Sequence, residues 1–107
     1  MGITKSFHFS EDQNKLATYA KALAHPARIA ILQQILKNGT CIVGSLSEVL
    51  PLSQSTISQH LKELKTIGII RGEITGPSIC YCIDAKSWTE AKSIVNELFS
   101  AYKEECC

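Results

Sequence analysis

The sequence predicts a mainly α-helical chain with one small β-hairpin: five helices, with the two-stranded hairpin between the fourth and the fifth. Two observations lead to this fold class. Apolar residues recur at helical spacing through most of the chain. Between Ile70 and Ile83 the period changes to two, and the turn sequence TGPS separates two alternating segments. The 107 residues correspond to one domain, so residues 1–107 are treated as a single unit.

The first two helices are predicted from their ends and from their apolar spacing. Ser10 and Gln13 match a capping box that opens a helix over about residues 11–24. Pro26 suits the first turn of the second helix, where its missing N–H costs nothing, and Asn38-Gly39 ends that helix. The apolar positions of the two helices are Leu16, Tyr19, Ala20 and Leu23, then Ile29, Leu32, Ile35 and Leu36.

The third and fourth helices are predicted to form a helix-turn-helix over about residues 43–67. The third is short, covers about residues 43–50 and ends at Pro51; its predicted buried residues are Leu46, Val49 and Leu50. Ser53 is the expected N-cap of the fourth helix, and Gly68 ends it. The buried stripe of the fourth helix is Ile57, Leu61 and Leu64. With the hairpin as a wing over about residues 69–84, this order describes a winged helix-turn-helix.

The last helix is predicted over about residues 87–105. Ser87 and Glu90 match a second capping box, which places the start of the helix at this point. Its apolar stripe consists of Trp88, Ala91, Val95, Leu98, Phe99 and Tyr102.

The exposed side of the fourth helix is rich in hydroxyls and amides and poor in charge, whereas a solvated helix face usually carries more charge. Short hydroxyls and amides hydrogen-bond base edges and phosphates, and a dense carboxylate face would repel DNA. The pattern predicts a helix that enters the DNA major groove. The alternative is a face rich in Ser and Thr that contacts only solvent. The predicted base contacts are Ser55, Thr56 and Gln59, the phosphate contacts are Ser53, Lys62, Arg71 and Ser78, and Ser58 lies on the same surface.

His60 projects to the flank of the fourth helix, near its buried side. Two interpretations fit this position: a hydrogen-bonded packing residue, which we favour, or a residue that reads a base.

The segments KALAHPARIAIL and LSQSTISQHLKELKTIGII, with the following hairpin, resemble the ArsR/SmtB family of bacterial winged-helix repressors over about residues 15–86. The resemblance implies a homodimer built on the first and last helices, about residues 11–24 and 87–105. It also implies a double-stranded operator with an inverted repeat, and repression that an inducer relieves, often a toxic metal or metalloid ion.

Two metal sites of that family have no counterpart here. Arsenite-responsive members often carry a Cys-Val-Cys pair at the start of the third helix, where this sequence has Ile42 and Gly44. Zinc-responsive members often place histidines along the last helix, and the three histidines, His8, His25 and His60, lie elsewhere.

The five cysteines suggest a different thiol site. Cys106 and Cys107 follow two glutamates, which attract a soft cation and disfavour a reactive thiolate. We expect these two thiols, with either Cys41 or a cysteine of the partner subunit as the third ligand, to bind an inducer, with arsenite or antimonite before other soft metal ions. The alternative is that they have no sensing role; DNA binding itself requires no cofactor. Cys80 and Cys82 share one face of a strand and either fill the underside of the hairpin or bind one soft ion.

Two other functions also fit this sequence. A thiol-redox or persulfide-responsive regulator of the same fold stays open, and so does a winged-helix protein-interaction module, because the net charge is only +1. An enzyme is not expected, since no Cys-x-x-Cys follows a strand and no βαβ pattern is present. The first residues contain no apolar secretory signal and no apolar run approaches 18 residues, so we expect a cytoplasmic protein without a membrane partner.

Overall fold

The computed structural model describes residues 8–38, 46–75 and 78–104. Within these ranges the elements are four α-helices, one turn of 3-10 helix and two antiparallel strands, so the hairpin is confirmed and the prediction of five helices is wrong. In chain order they are α1 (Glu11–Ala22), α2 (Pro26–Asn38), the 3-10 turn (Leu46–Glu48), α3 (Gln54–Ile67), β1 (Ile70–Thr75), β2 (Ser78–Ile83) and α4 (Ala85–Ser100).

The core lies between α2, α3 and the base of the wing. Ala22 from α1, the 3-10 turn and the start of β1 complete it. Ile29 and Leu36 were predicted to be buried in α2 but are 41% and 46% exposed. Ile31 is buried in their place, because the ridge of Ala27, Ile31 and Ile35 at spacings of four faces the core. The buried cluster consists of Ala22, Ile31, Leu32, Ile35, Leu46, Ile57, Leu61, Leu64, Ile69 and Ile70.

Several helix ends follow from local hydrogen bonds, as predicted. The N–H of Gln13 donates to Ser10 Oγ at 3.0 Å and the N–H of Ser10 donates to Gln13 Oε1 at 2.8 Å, which completes the capping box of α1. Gly68 ends α3 in the left-handed conformation, with φ of 96°, and its N–H donates to the carbonyl of Leu64 at 3.1 Å.

The predicted third helix is replaced, in its described part, by the 3-10 turn Leu46–Glu48. Leu46 is buried as expected, but Val49 is 58% exposed. The N–H of Val49 donates to the carbonyl of Leu46 at 3.1 Å, which is a 3-10 hydrogen bond. Pro51 disfavours the α conformation at the residue before it, so the helical segment ends here. Residues 43–45 of the predicted helix lie outside the described ranges.

The last helix begins earlier than predicted, and Ser87 is not its cap. Asp84 is the N-cap, and its Oδ1 accepts the N–H of Ser87 at 3.0 Å. This hydrogen bond is the main cause that lowers the pKa of Asp84. Asp84 directly follows β2, so its carboxylate caps the first turn before Ser87 is reached. Glu90 therefore has no capping role, and its side chain turns to α1.

In the hairpin, Arg71 pairs with Cys82 and Gly72 pairs with Tyr81. Cys80 is buried and Cys82 is half-buried. None of the helices in the described ranges has the length and apolar character needed to cross a membrane.

We expect Gly68→Ala to lower the free energy of unfolding by about 1 kcal/mol, since an L-residue is disfavoured in the left-handed conformation. A Cβ at this position would lie 3.9 Å from Ser87 Oγ, so no clash adds to that cost. Urea unfolding measures the change. Gly68→Asn is the matched control and should lose less stability, because Asn tolerates this conformation better. Equal losses for both variants would contradict the explanation.

Candidate nucleic-acid interface

The recognition surface, as we name the exposed face of α3, is fixed by the burial of the opposite side. Ile57 and Leu64 are completely buried and Leu61 is 6% exposed. The predicted contact residues are thereby brought together on the outer side of the helix, where Ser55, Ser58, Gln59 and Lys62 are exposed and Thr56 is half-buried. Glu63, also half-buried, is the one acidic residue of the helix.

Hydroxyl groups form a local network at the N-terminus of α3. Ser53 is the N-cap, as predicted, and its Oγ accepts the N–H of Thr56 at 3.3 Å. The same oxygen donates to Thr56 Oγ1 at 2.9 Å and lies 3.2 Å from Ser55 Oγ. The hydroxyl proton of Ser53 thus points toward Thr56. The partial positive charge of the helix N-terminus faces outward and favours a phosphate.

Two residues of this surface were missed in the sequence. Gln54 is the first residue of α3, is exposed, and its Nε2 donates to Ser58 Oγ at 3.5 Å. Thr66 is exposed on the same side of α3 as Ser55, because it follows Ser55 by eleven positions, or about three helical turns. Its Oγ1 donates to the carbonyl of Lys62 at 2.9 Å. The available signals were the position directly after the N-cap and the helical period of the polar face.

The wing places Arg71 beside the start of α4. Arg71 is exposed on β1, and its positive charge contributes to the lowered pKa of Asp84. A phosphate contact by Arg71 would therefore compete with Asp84. Ser78 is the first residue of β2 and pairs with Thr75, but its side chain lies outside the described part of the structure. Both predicted phosphate contacts stay predictions.

His60 is a hydrogen-bonded packing residue, the interpretation favoured from the sequence. Its Nδ1 accepts the Nε–H of Arg28 at 3.3 Å, and its ring lies 4.8 Å from the ring of His25, measured between centroids. Burial, then the charges of His25 and Arg28, lower the pKa of His60.

The chain has clear relatives. A family model described as "Bacterial regulatory protein, arsR family" matches residues 25–71. The transcriptional repressor SmtB of Mycobacterium tuberculosis is 43% identical over 61 residues, which is 57% of this chain and 44% of that protein. The regulator NmtR of the same species is 36% identical over 74 residues, 69% of this chain and 61% of that protein. The chain thus spans less than two thirds of either relative.

Solved structures agree over more of the chain. HlyU from Vibrio cholerae, named a transcriptional activator, superposes with a TM-score of 0.67 at 30% identity, covering 88% of this chain and 98% of HlyU. This chain belongs to the ArsR family. The cadmium metal-sensor CmtR from Mycobacterium tuberculosis superposes with a TM-score of 0.56 at 29% identity, covering 86% of this chain and 95% of CmtR. The family resemblance seen in the sequence is confirmed, and these relatives are transcriptional regulators, not enzymes.

In this ArsR-family chain, polar side chains of α1 and α4 bond to each other. Glu90 accepts a hydrogen bond from the Tyr19 hydroxyl at 2.5 Å and forms an ion pair with Lys15 at 3.1 Å. Both contacts lower the pKa of Glu90, and the hydrogen bond from Tyr19 has the larger effect. Beside them lies a mostly apolar cavity of about 380 Å³, lined by Tyr19, Ala22, Leu23, Trp88, Ala91 and Val95 among others.

Large apolar side chains are exposed at the end of α4 and just beyond it; we call this surface, formed by Leu98, Phe99 and Tyr102, the α4 face. No residue of α4 is buried. Leu98, Phe99 and Tyr102 are 57%, 72% and 68% exposed. Patches of this kind mark interaction surfaces in soluble proteins.

The predicted thiol site cannot be compared with the structure, because Cys41, Cys106 and Cys107 lie outside the described residues. Cys80 and Cys82 are both reduced, and burial raises the pKa of Cys80, which favours the neutral thiol of a packing residue. Within residues 8–38, 46–75 and 78–104, no three side chains of His, Cys, Asp or Glu are grouped so that they would hold a metal ion.

Proposed function

We propose that this ArsR-family chain is a homodimeric repressor that binds an inverted-repeat operator and is released from it by a thiol-binding metal or metalloid. The observation that carries the proposal is the recognition surface. It is a hydrogen-bonding face with little charge, held outward by a fully buried opposite side and followed by a wing. A face that only contacted solvent would gain nothing from this selection of hydroxyls and amides over charged residues.

The chemistry of the recognition surface suits base reading. An amide such as that of Gln59 pairs bidentately with adenine, and hydroxyls such as that of Ser55 accept or donate to any base. Lys62 and Arg71 supply the charge for phosphate contacts, which fix the register of the protein on the duplex. The 14-residue helix α3 has the dimensions of elements that enter a major groove about 12 Å wide.

The α4 face supports the dimer. Burying large apolar side chains such as Leu98 and Phe99 against a second copy removes them from water, at about 25 cal/mol for each Å² of apolar surface. A two-fold dimer would present two recognition surfaces to two half-sites, which accounts for an inverted repeat.

Repression and induction are inferred from relatives and thiols together. SmtB is named a repressor, HlyU an activator and CmtR a cadmium metal-sensor. Cys106-Cys107, six residues beyond the end of α4, with Cys41 as the third ligand, would bind arsenite or antimonite. Because α4 supplies the dimer surface, ligand binding near its end would change the spacing of the two recognition surfaces and weaken operator binding.

We expect Gln59→Ala to weaken operator binding by about 1–3 kcal/mol and to relax the base preference at one position of each half-site.

Arg71→Ala should weaken binding to all sequences and lower the salt dependence by about one phosphate per subunit. Fluorescence anisotropy on operator and random DNA, over a salt series, measures both.

The matched control for Gln59 is Gln33→Ala, since Gln33 is exposed on α2, away from the recognition surface. It should bind as the wild type does. Equal losses on operator and random DNA for Gln59→Ala would show that Gln59 does not read a base.

We expect Leu98→Glu to convert the dimer to a monomer, because it places a charge in the apolar interface. Sedimentation equilibrium should give half the wild-type mass. The control Thr89→Glu adds the same charge nine positions earlier, on about the opposite side of α4, and should stay dimeric. A Leu98→Glu variant with the wild-type mass would exclude the α4 face as the interface.

We expect the double variant Cys106→Ser/Cys107→Ser to bind operator normally and to stay bound when arsenite or antimonite is added. A gel-shift titration compares it with the wild type, which should be released. Cys80→Ser is the control and should be released at the wild-type concentration. If the double variant is released at that same concentration, the two thiols are not the sensor.

A further inference from the structure

Arg28 joins three helices through one side chain. It lies in the first turn of α2, and its Nη1 donates a hydrogen bond to the carbonyl oxygen of Lys21 in the last turn of α1. Its Nε donates to Nδ1 of His60, in the second turn of α3, at 3.3 Å. A guanidinium at the C-terminal end of α1 is favoured by the partial negative charge there. The orientation of Arg28 toward His60 is thereby fixed from the side of α1.

The two histidines beside Arg28 both accept a hydrogen bond at Nδ1. His60 accepts at Nδ1 from Arg28, and His25 accepts at Nδ1 from the N–H of Ala27 at 3.0 Å. A ring nitrogen that accepts a hydrogen bond carries no proton, so His60 is bound to Arg28 in its neutral form, with the proton on Nε2. The two rings lie 4.8 Å apart, tilted by 44°. Arg28 is the permanently charged member of this cluster.

We propose that Arg28 and His60 are positioning residues of the recognition surface: their hydrogen bond fixes the rotation of α3 about its axis, and protonation of His60 releases it. This inference rests on the proposed DNA-binding function of α3. His60 lies close to a proposed base contact, because Gln59 directly precedes it. A rotation of α3 by ten degrees moves a side chain about 6 Å from the axis by about 1 Å. That shift exceeds the range of a good hydrogen bond, so base reading is lost before the helix leaves the core.

The charges around His60 determine the direction of the pH effect. The groups that act on it are His25, between α1 and α2, and Arg28, on α2; with burial, which is the largest cause, both lower its pKa from the ordinary 6.5. The unfolded chain therefore binds the proton more readily than the folded one. Stability from this cluster is complete above pH 6.5 and is lost as the pH falls through 6.5 toward the lower folded value.

The test compares base preference with pH in three proteins. Wild type, His60→Asn and His60→Leu are titrated with DNA selected by the wild type at pH 7.5 and with random DNA, from pH 7.5 to 5.5 at fixed ionic strength. Asn places a carbonyl oxygen near the position of Nδ1, so it keeps the acceptor but takes up no proton. Leu keeps the bulk and removes the acceptor. Using the ratio of the two affinities cancels general effects of charge on DNA binding.

We expect the wild-type preference for selected DNA to fall about tenfold on acidification, the equivalent of one hydrogen bond to a charged group. His60→Asn should keep its preference at both ends of the range, and His60→Leu should show a preference about tenfold lower at pH 7.5. Identical pH profiles for wild type and His60→Asn, or a wild-type preference in His60→Leu, would overturn the inference.

A measurement without DNA separates the inference from the proposed function. Long-range ¹⁵N–¹H NMR spectra of the full chain at pH 7.5 should show the proton of His60 on Nε2. A proton on Nδ1 overturns the inference whatever the DNA result. A wild type that selects no DNA refutes the proposed function, and the positioning role falls with it even if the proton is on Nε2.

Discussion

Burial of Ile57, Leu61 and Leu64 is the constraint on which the other features of the molecule depend. Turning α3 so that one of these side chains reached water would cost about 1.5–3 kcal/mol for that side chain alone. The same packing therefore decides that Ser55 and Gln59 face outward. The wing is tied to this unit as well, because Ile69 and Ile70 belong to the same buried cluster.

Features that depend on a few neighbouring residues could be predicted from the sequence. The cap at Ser53 and the left-handed end at Gly68 each need only local hydrogen bonds. The sequence misled where two local signals competed. Asp84 and Ser87 both qualify as caps, and the one that directly follows β2 is used. Val49 fits a helical stripe, but the 3-10 turn ends at Glu48 and leaves Val49 exposed.

The recognition surface could be predicted as a face, since it is the complement of the buried stripe, but its internal contacts could not. Nothing in the sequence indicates that Ser53 donates to Thr56. Contacts between distant residues leave no local pattern either. Arg28 and His60 are 32 positions apart, and Tyr19 and Glu90 are 71 positions apart. The sequence favoured packing for His60 from its place on the helix, without identifying its partner.

The helices differ in how they are held, and this difference matters for the proposed induction. α3 is fixed by buried apolar side chains, whereas no residue of α4 is buried. Trp88 and Ala91 of α4 are half-buried against the core, and Glu90 bonds to the half-buried Tyr19 and Lys15 of α1. A partly exposed ion pair such as Lys15–Glu90 contributes about 0–1 kcal/mol, so α4 is held less firmly than α3. A shift of α4 would reach α3 as a movement of α1, to which Arg28 is bonded, with the recognition surface itself intact. The proposed induction would use this combination: a firmly packed surface for reading bases and a less firmly held helix that sets its position.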